Sequence, residues 1–353
     1  MLTLAPDVVA AALTDAAERA DEHDRRADGS FPDAAWAALV AAGIPGATVD
    51  GLPAGAELAL VRAVARADVS LGRLLDGHFN AVQRLAVQVD PALSEAELAG
   101  VRAGRLRLGV WGADPVPGEG PPAELDADGP GARLSGVKVF CSGAGGLQRA
   151  FVLVRGPGDV APSRMAYVDL TGASTTVDPT WFTGAGMRGS ASHRVVFAGA
   201  PVLWLAAQPG ALLAEPWFSQ DAIRTAASWA GGATAAVEEA LVLLRAKGAT
   251  GDLEALAAGR MGTALGTIDL WLAEAGRRID AGGADRAFAA HLRDAVDGAV
   301  RAILDESSRA CGSRPFATGT PLERARRDLQ TYVLQHRLDP IIARVGRAAL
   351  EAS

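Results

Sequence analysis

Several residue types that would reveal a role at once are scarce or missing in this chain. Among 353 residues there are two cysteines, two tyrosines and 5% aromatics. Cys141 and Cys311 form neither a metal-type pair nor a disulfide framework. A basic excess is also missing: the formal net charge is -7, which argues against a nucleic-acid binder with its stripe of phosphate contacts. The apolar runs are broken by Arg, Asp or Glu within about a dozen residues, too soon for a membrane span. The opening "MLTLAPDVVAAALTDAAERADEHDRR" has no basic n-region and soon turns acidic, so it does not read as a signal peptide, and a cytoplasmic protein is expected. No His, Asp and Glu set shows metal-ligand spacing. There is no nucleophile elbow, no Gly-x-Gly-x-x-Gly and no P-loop.

What is present is alanine. Apolar residues reach 49% with few aromatics, so closely packed helices are the first expectation. Three segments differ in period. Residues 1–104 read as an N-terminal helical domain. Val8, Val9, Ala12 and Leu13 share a stripe, then Trp36, Leu39, Val40 and Ile44 recur at helical spacing. Ser30 is expected to cap the second helix, with Pro32 in its first turn, and Ser94 to cap the last. Residues 105–205 change to short alternating runs such as "ARLSGVKVFCSGA" and "RAFVLVR", the pattern of an antiparallel β-barrel or sandwich. Residues 206–353 return to helical period in four long segments, approximately 215–247, 252–281, 284–311 and 321–350, joined by short connections. That pattern predicts an up-down four-helix bundle. The fold class is α+β, mainly helical.

That order, with four local motifs on the expected elements, resembles the acyl-CoA dehydrogenase superfamily over nearly the whole chain. The motifs are "SFPDAAWAALVAAGIPGATV", "LSGVKVFCSGAGG", "WFTGAGMRGSASHRVVFAGAPV" and "CGSRPFATGTPLERARRDLQTYV". The resemblance implies an FAD clamped between the β-rich middle and the bundle. It places Phe140 as the aromatic and Ser142 as the hydroxyl beside the flavin ring, with Gly143 to Gly146 allowing close backbone approach. Trp111 falls on the preceding strand end that contacts flavin, and Asp114-Pro115 echoes the family's Glu-Pro pair.

Three departures accompany the likeness. Aligning Arg327-Asp328 with the family's Arg-Asp puts His336 where the dehydrogenases carry a catalytic carboxylate. A His there has the pKa of a base near neutrality. The Arg-x-x-Phe-Gly motif for the pyrophosphate is absent, leaving Arg245 and Lys247 as cations. The adenosine-side Gly-rich turn has become "RACGSRPF", where Arg314 is the residue to reach a phosphate. With both motifs degenerate, FAD binding is altered or lost. His78 is a further active-site candidate, with a satisfied core His as the competing reading; His193 begins a strand, and His23 and His291 read as surface.

Three functions remain open. The first is an FAD-dependent oxidoreductase of the acyl-CoA dehydrogenase type, moving hydride from an acyl thioester or related carbonyl substrate to flavin N5. The second is a flavin monooxygenase of the same fold, which does not need the carboxylate. The third is a flavin-free binding or scaffold protein. Superfamily bundles pair, so a homodimer or homotetramer is implied.

Overall fold

In the computed structural model, the described residues are 4–26, 28–248, 251–335 and 337–351. The helical N-terminal part comprises α1 (Pro6–Arg25), α2 (Asp33–Ala41), α3 (Ala54–Ala67), α4 (Val69–Gln88) and α5 (Pro91–Arg102). Asp68 ends α3 and starts α4: its carboxylate accepts from the amides of Ser70 at 2.8 Å and Leu71 at 3.2 Å. These are orphan donors of a first helical turn. The other two caps differ from expectation. Pro32 itself is the N-cap of α2, and Ser30 Oγ accepts from Arg26 instead. In α5 the helix begins at Pro91, so Ser94 lies inside it and donates to the Leu85 carbonyl at 2.8 Å.

The middle holds β1 (Leu108–Trp111), β2 (Glu124–Leu125), β3 (Arg133–Cys141), β4 (Arg149–Val154), β5 (Arg164–Asp169), β6 (Thr175–Asp178) and β7 (His193–Leu205). The described strands run in the order β1-β4-β5-β7-β3-β2, with β6 also on β7. The pairing is not purely antiparallel, because β1 lies parallel to β4. Two edges are drawn toward closure: Leu125 N donates to Arg155 O, and Val139 N donates to Ala113 O. Satisfying edge amides in this way is what a barrel-like sheet achieves.

The bundle contains α6 (Trp217–Ala246), α7 (Asp252–Asp280), α8 (Arg286–Cys311), a short α9 (Arg314–Ala317), α10 (Pro321–Tyr332) and α11 (Asp339–Glu351). The expected fourth helix is therefore broken after Tyr332. Pro340 sits in the first turn of α11, where a missing N–H breaks no helical hydrogen bond. Small residues set the packing of α6. A Cβ at Gly231 would lie 2.3 Å from the Arg62 carbonyl of α3, so the two helices pack backbone to backbone.

Helix α4 lies between the sheet and the bundle, packing on β1, α3 and α6. It is buried on all sides, polar residues included. A single apolar stripe does not describe such a helix. Its polar side chains consequently need internal partners. Arg84 pairs with Asp221 at 2.5 Å, and Asn80 accepts from Arg224 at 3.1 Å.

Candidate active site at the β3 lip

The end of β3 is a β-bulge. Lys138 faces Val195 and Cys141 faces His193, so β3 spends one residue more than β7 over this step. The extra residue lets Phe140 turn out of the sheet at φ 52°, a left-handed conformation that is rare for a bulky side chain. Phe140 is 57% exposed and meets Trp181 edge-on, with centroids 4.8 Å apart. Phe182 stands behind at 6.4 Å. Next to this aromatic shelf Gly112 and Ala113 are exposed, and a Cβ at Gly112 would meet nothing within 4 Å. An outward aromatic held in strained backbone beside an open glycine suits a planar ligand.

Trp111 does not line that shelf. It is buried in the core, and its indole N–H donates to the Ser142 carbonyl at 3.0 Å. Its role is to hold the turn that presents Ser142. Gly143 has φ 80° and donates to the Ser190 carbonyl at 2.9 Å. A Cβ there would press on Leu147 at 3.0 Å, so this glycine serves the turn's own packing rather than an opening. Ser142 Oγ lies 2.9 Å from Ser192 Oγ, which lies 2.7 Å from Ser190 Oγ. Behind Ser142, a cavity of about 10 Å³ is lined by Arg73, Leu74, Gly109, Val110 and Leu147. It has room for about one water and none for a ring. None of the described side chains lining it is a carboxylate.

Asp114 is an internal counter-ion. It pairs with the buried Lys138 at 2.7 Å and with Arg155 at 3.3 Å. Burial pulls the Lys138 ammonium below its ordinary value, and the hydrogen bond to Asp114 opposes this. The Arg327-Asp328 pair is likewise structural. Arg327 binds Asp24 of α1 at 2.7 Å, while Asp328 accepts from Met187 N at 2.6 Å. Burial pushes the Asp328 carboxyl up to about 7. A Cβ at Gly186 would collide with the Arg327 carbonyl at 2.0 Å, which shows how closely the 184–187 turn rests on α10.

The other expected residues are dispersed. Arg314 is exposed on α9, whose packing is on α10, and none of its hydrogen bonds reaches β3. Lys247 donates to the Cys311 carbonyl at 2.6 Å, and Arg245 is exposed. His336 lies outside the described residues. His78 is a core residue: Nδ1 accepts from Leu108 N at 3.0 Å, and Nε2 donates to the Pro45 carbonyl at 3.2 Å. Burial lowers its pKa to about 4 and keeps it neutral. His23 is not on the surface, since it is buried with Nδ1 3.3 Å from Asp68.

A buried polar seam was not visible from sequence. Arg73 and Tyr332 both donate to Asp76, and Tyr332 meets Trp229 edge-on at 6.1 Å. The guanidinium of Arg293 stacks over Trp229 at 4.8 Å, and burial lowers its pKa to about 10. Burial drives Asp76 upward and the Arg73 charge opposes it. The available hint was the density of polar residues on α4, which one amphipathic stripe does not accommodate.

No family model matches this chain, and no curated protein does. Among solved structures, FMN-bound TdsC from Paenibacillus sp. A11-2, a dibenzothiophene monooxygenase, superposes with a TM-score of 0.86 at 20% identity, covering 98% of this chain and 97% of that one. The protein has the acyl-CoA dehydrogenase fold. A nitrososynthase from Micromonospora carbonacea var. africana gives 0.80 at 22%, with 97% and 95% covered. The methanesulfinate monooxygenase MsuC from Pseudomonas fluorescens gives 0.81 at 21%, with 99% and 98% covered. Among the described residues, no helix is long and apolar enough to cross a membrane, and no group of three metal-ligating side chains occurs.

Proposed function

We propose that this protein is a flavin-dependent monooxygenase that uses reduced FMN and molecular oxygen on a small-molecule substrate. The observation that carries this reading is the outward Phe140 beside the Ser142 hydroxyl, in a fold shared almost end to end with FMN-bound TdsC. Acyl-thioester dehydrogenation is the weaker reading. It needs a carboxylate to take the α-proton, and His336 stands at that position by alignment with Arg327-Asp328. FMN suits the chain better than FAD, because the turn for the adenosine half reads "RACGSRPF" and Arg314 stands apart from the lip.

The outer side of the lip supports a flavin there. Phe140 would stack against the ring, Ser142 would hydrogen-bond its edge, and Gly112 leaves room for it. Arg188 is exposed two residues before the buried Ser190, and among the described residues it has no ion-pair partner; it would take the ribityl phosphate. When bound, reduced flavin supplies the electrons that activate oxygen, one atom of which enters the substrate while the other leaves as water. Trp111 and Ser190 hold the Ser142 turn rigid from behind. His336 would hold or deliver a proton near neutral pH.

Supply the purified protein with FMN, a flavin reductase and NADH, and follow substrate-dependent oxygen uptake. Uptake coupled to an oxygenated product is the expected result, and His336→Ala should lower it without changing FMN content. Bleaching of bound flavin by acyl-CoA in the absence of a reductase would restore the dehydrogenase. A protein that takes up no flavin in either redox state would end both readings.

A further inference from the structure

Four lysine or arginine side chains are buried among the described residues: Arg84, Lys138, Arg224 and Arg293. Three of them have a carboxylate within ion-pair distance. Arg84 meets Asp221 at 2.5 Å, Lys138 meets Asp114 at 2.7 Å, and Arg224 meets Glu57. Arg293 is the exception. It is 4% exposed and makes no ion pair with any described residue. Its Nε and Nη2 are both buried without an acceptor.

The surroundings of Arg293 supply more donors and a π face instead of a counter-charge. Its guanidinium carbon lies 4.8 Å from the centre of the Trp229 indole, whose Nε1 is also buried with no acceptor. Guanidinium and indole nitrogens only donate, so two stacked side chains hold three N–H groups that nothing accepts. The nearby carboxylates are engaged elsewhere. Asp76 takes Arg73 and Tyr332, while Asp297, one turn further along α8, takes Arg301 at 2.8 Å. The second oxygen of Asp297 reaches no partner, Arg293 included. Arg73, Arg293 and Arg301 thus stand against Asp76 and Asp297, which leaves one positive charge in excess. Burial lowers the Arg293 pKa to about 10, far enough above neutrality to keep that charge. Water would satisfy the N–H groups and leave the charge uncompensated.

We infer that Arg293 and Trp229 form a binding site for one small monovalent anion of halide size, held between α6 and α8. The class follows from the site. Both side chains are closed to solvent, which excludes phosphate and bulky organic carboxylates, and the charge to be balanced is single. The inference does not depend on the flavin reading.

Crystals of the purified protein grown with sodium bromide test it directly. An anomalous bromine peak within hydrogen-bond reach of Arg293 and Trp229 is expected. In urea at fixed ionic strength, replacing sodium gluconate by sodium chloride should lower the unfolding constant by the factor 1 + [chloride]/Kd. That is about tenfold when chloride is about ninefold above Kd. Gluconate is too bulky for the interior and supplies the reference. Arg293→Met keeps an unbranched stem and drops the charge, so the chloride response should vanish. Trp229→Phe keeps a ring under the guanidinium and removes one donor, so Kd should rise about tenfold. Ordered water in place of bromide, equal stability in chloride and gluconate, or an undiminished response in Arg293→Met would overturn the inference. The bromide measurement decides the matter even where neither variant folds.

Discussion

The β3 lip and the seam around α4 treat awkward residues in opposite ways. At the lip, a large aromatic is exposed and its backbone is strained, although Phe140 would be easier to accommodate inside. At the seam, charged groups that prefer water are buried: Asp76 is fully buried between Arg73 and Tyr332. The lip gives up stability to present a surface. The seam satisfies every polar contact of Asp76 and presents nothing. Strain combined with exposure is what the proposed site rests on, whereas burial combined with paired charge ties α4, α6, α8 and α10 together.

The largest expected effect breaks the seam. Asp76→Ala removes the counter-ion of Arg73 and the acceptor of Tyr332, and should destabilise the protein by about 3–5 kcal/mol in urea unfolding. A loss below about 1 kcal/mol would show that the pair adds little to the fold.

A second experiment tests the joint between the two regions, where Asp328 holds the 184–187 turn. Its folded pKa of about 7 lies above the ordinary carboxyl value, so between about pH 4 and 7 the native state binds the extra proton. Stability from this group is present at low pH and is lost as pH rises through that window. Asp24, Asp68 and Arg327 face it, and the two carboxylates reinforce the upward shift. Asp328→Asn keeps an acceptor for Met187 N and removes the titration. Its stability relative to the parent should climb with pH across the window, by at most about 1.4 kcal/mol per unit. A difference that stays flat from pH 4 to 7 would refute the assignment.

The smallest effect belongs to the lip. Phe140→Gly relieves the left-handed strain and should raise stability by about 1 kcal/mol in thermal unfolding, while weakening flavin binding. If stability drops instead, Phe140 is a core residue and the contrast between the two regions fails.

Much of the lip is legible in the sequence. "VFCSGAGG" follows an alternating run and ends in residues without bulk, which marks a strand end that turns sharply. The bulge that turns Phe140 outward was not legible, because it depends on the register between β3 and β7. Trp111 illustrates the same limit: its position suggested the ring, yet its indole points into the core and bonds the Ser142 carbonyl. The break after Tyr332 was hidden because 321–350 keeps an apolar period on both sides, and Pro340 reads equally well as a kink or a restart. His23 sits among charges in the sequence and was read as exposed, but Asp68, forty-five positions later, closes over it.

Taken alone, the sequence determined the kind and order of the elements, helices then strands then helices, because side-chain period is a local property of the chain. It also marked Phe140 and Ser142 as the end of one strand. Tertiary structure decided which second face of α4 is buried, how Asp76 meets Tyr332 across 256 positions, and how Ser142, Ser192 and Ser190 come within hydrogen-bond distance of one another. Those features depend on partners distant in the chain, and a local pattern records that a polar group exists without recording what will satisfy it.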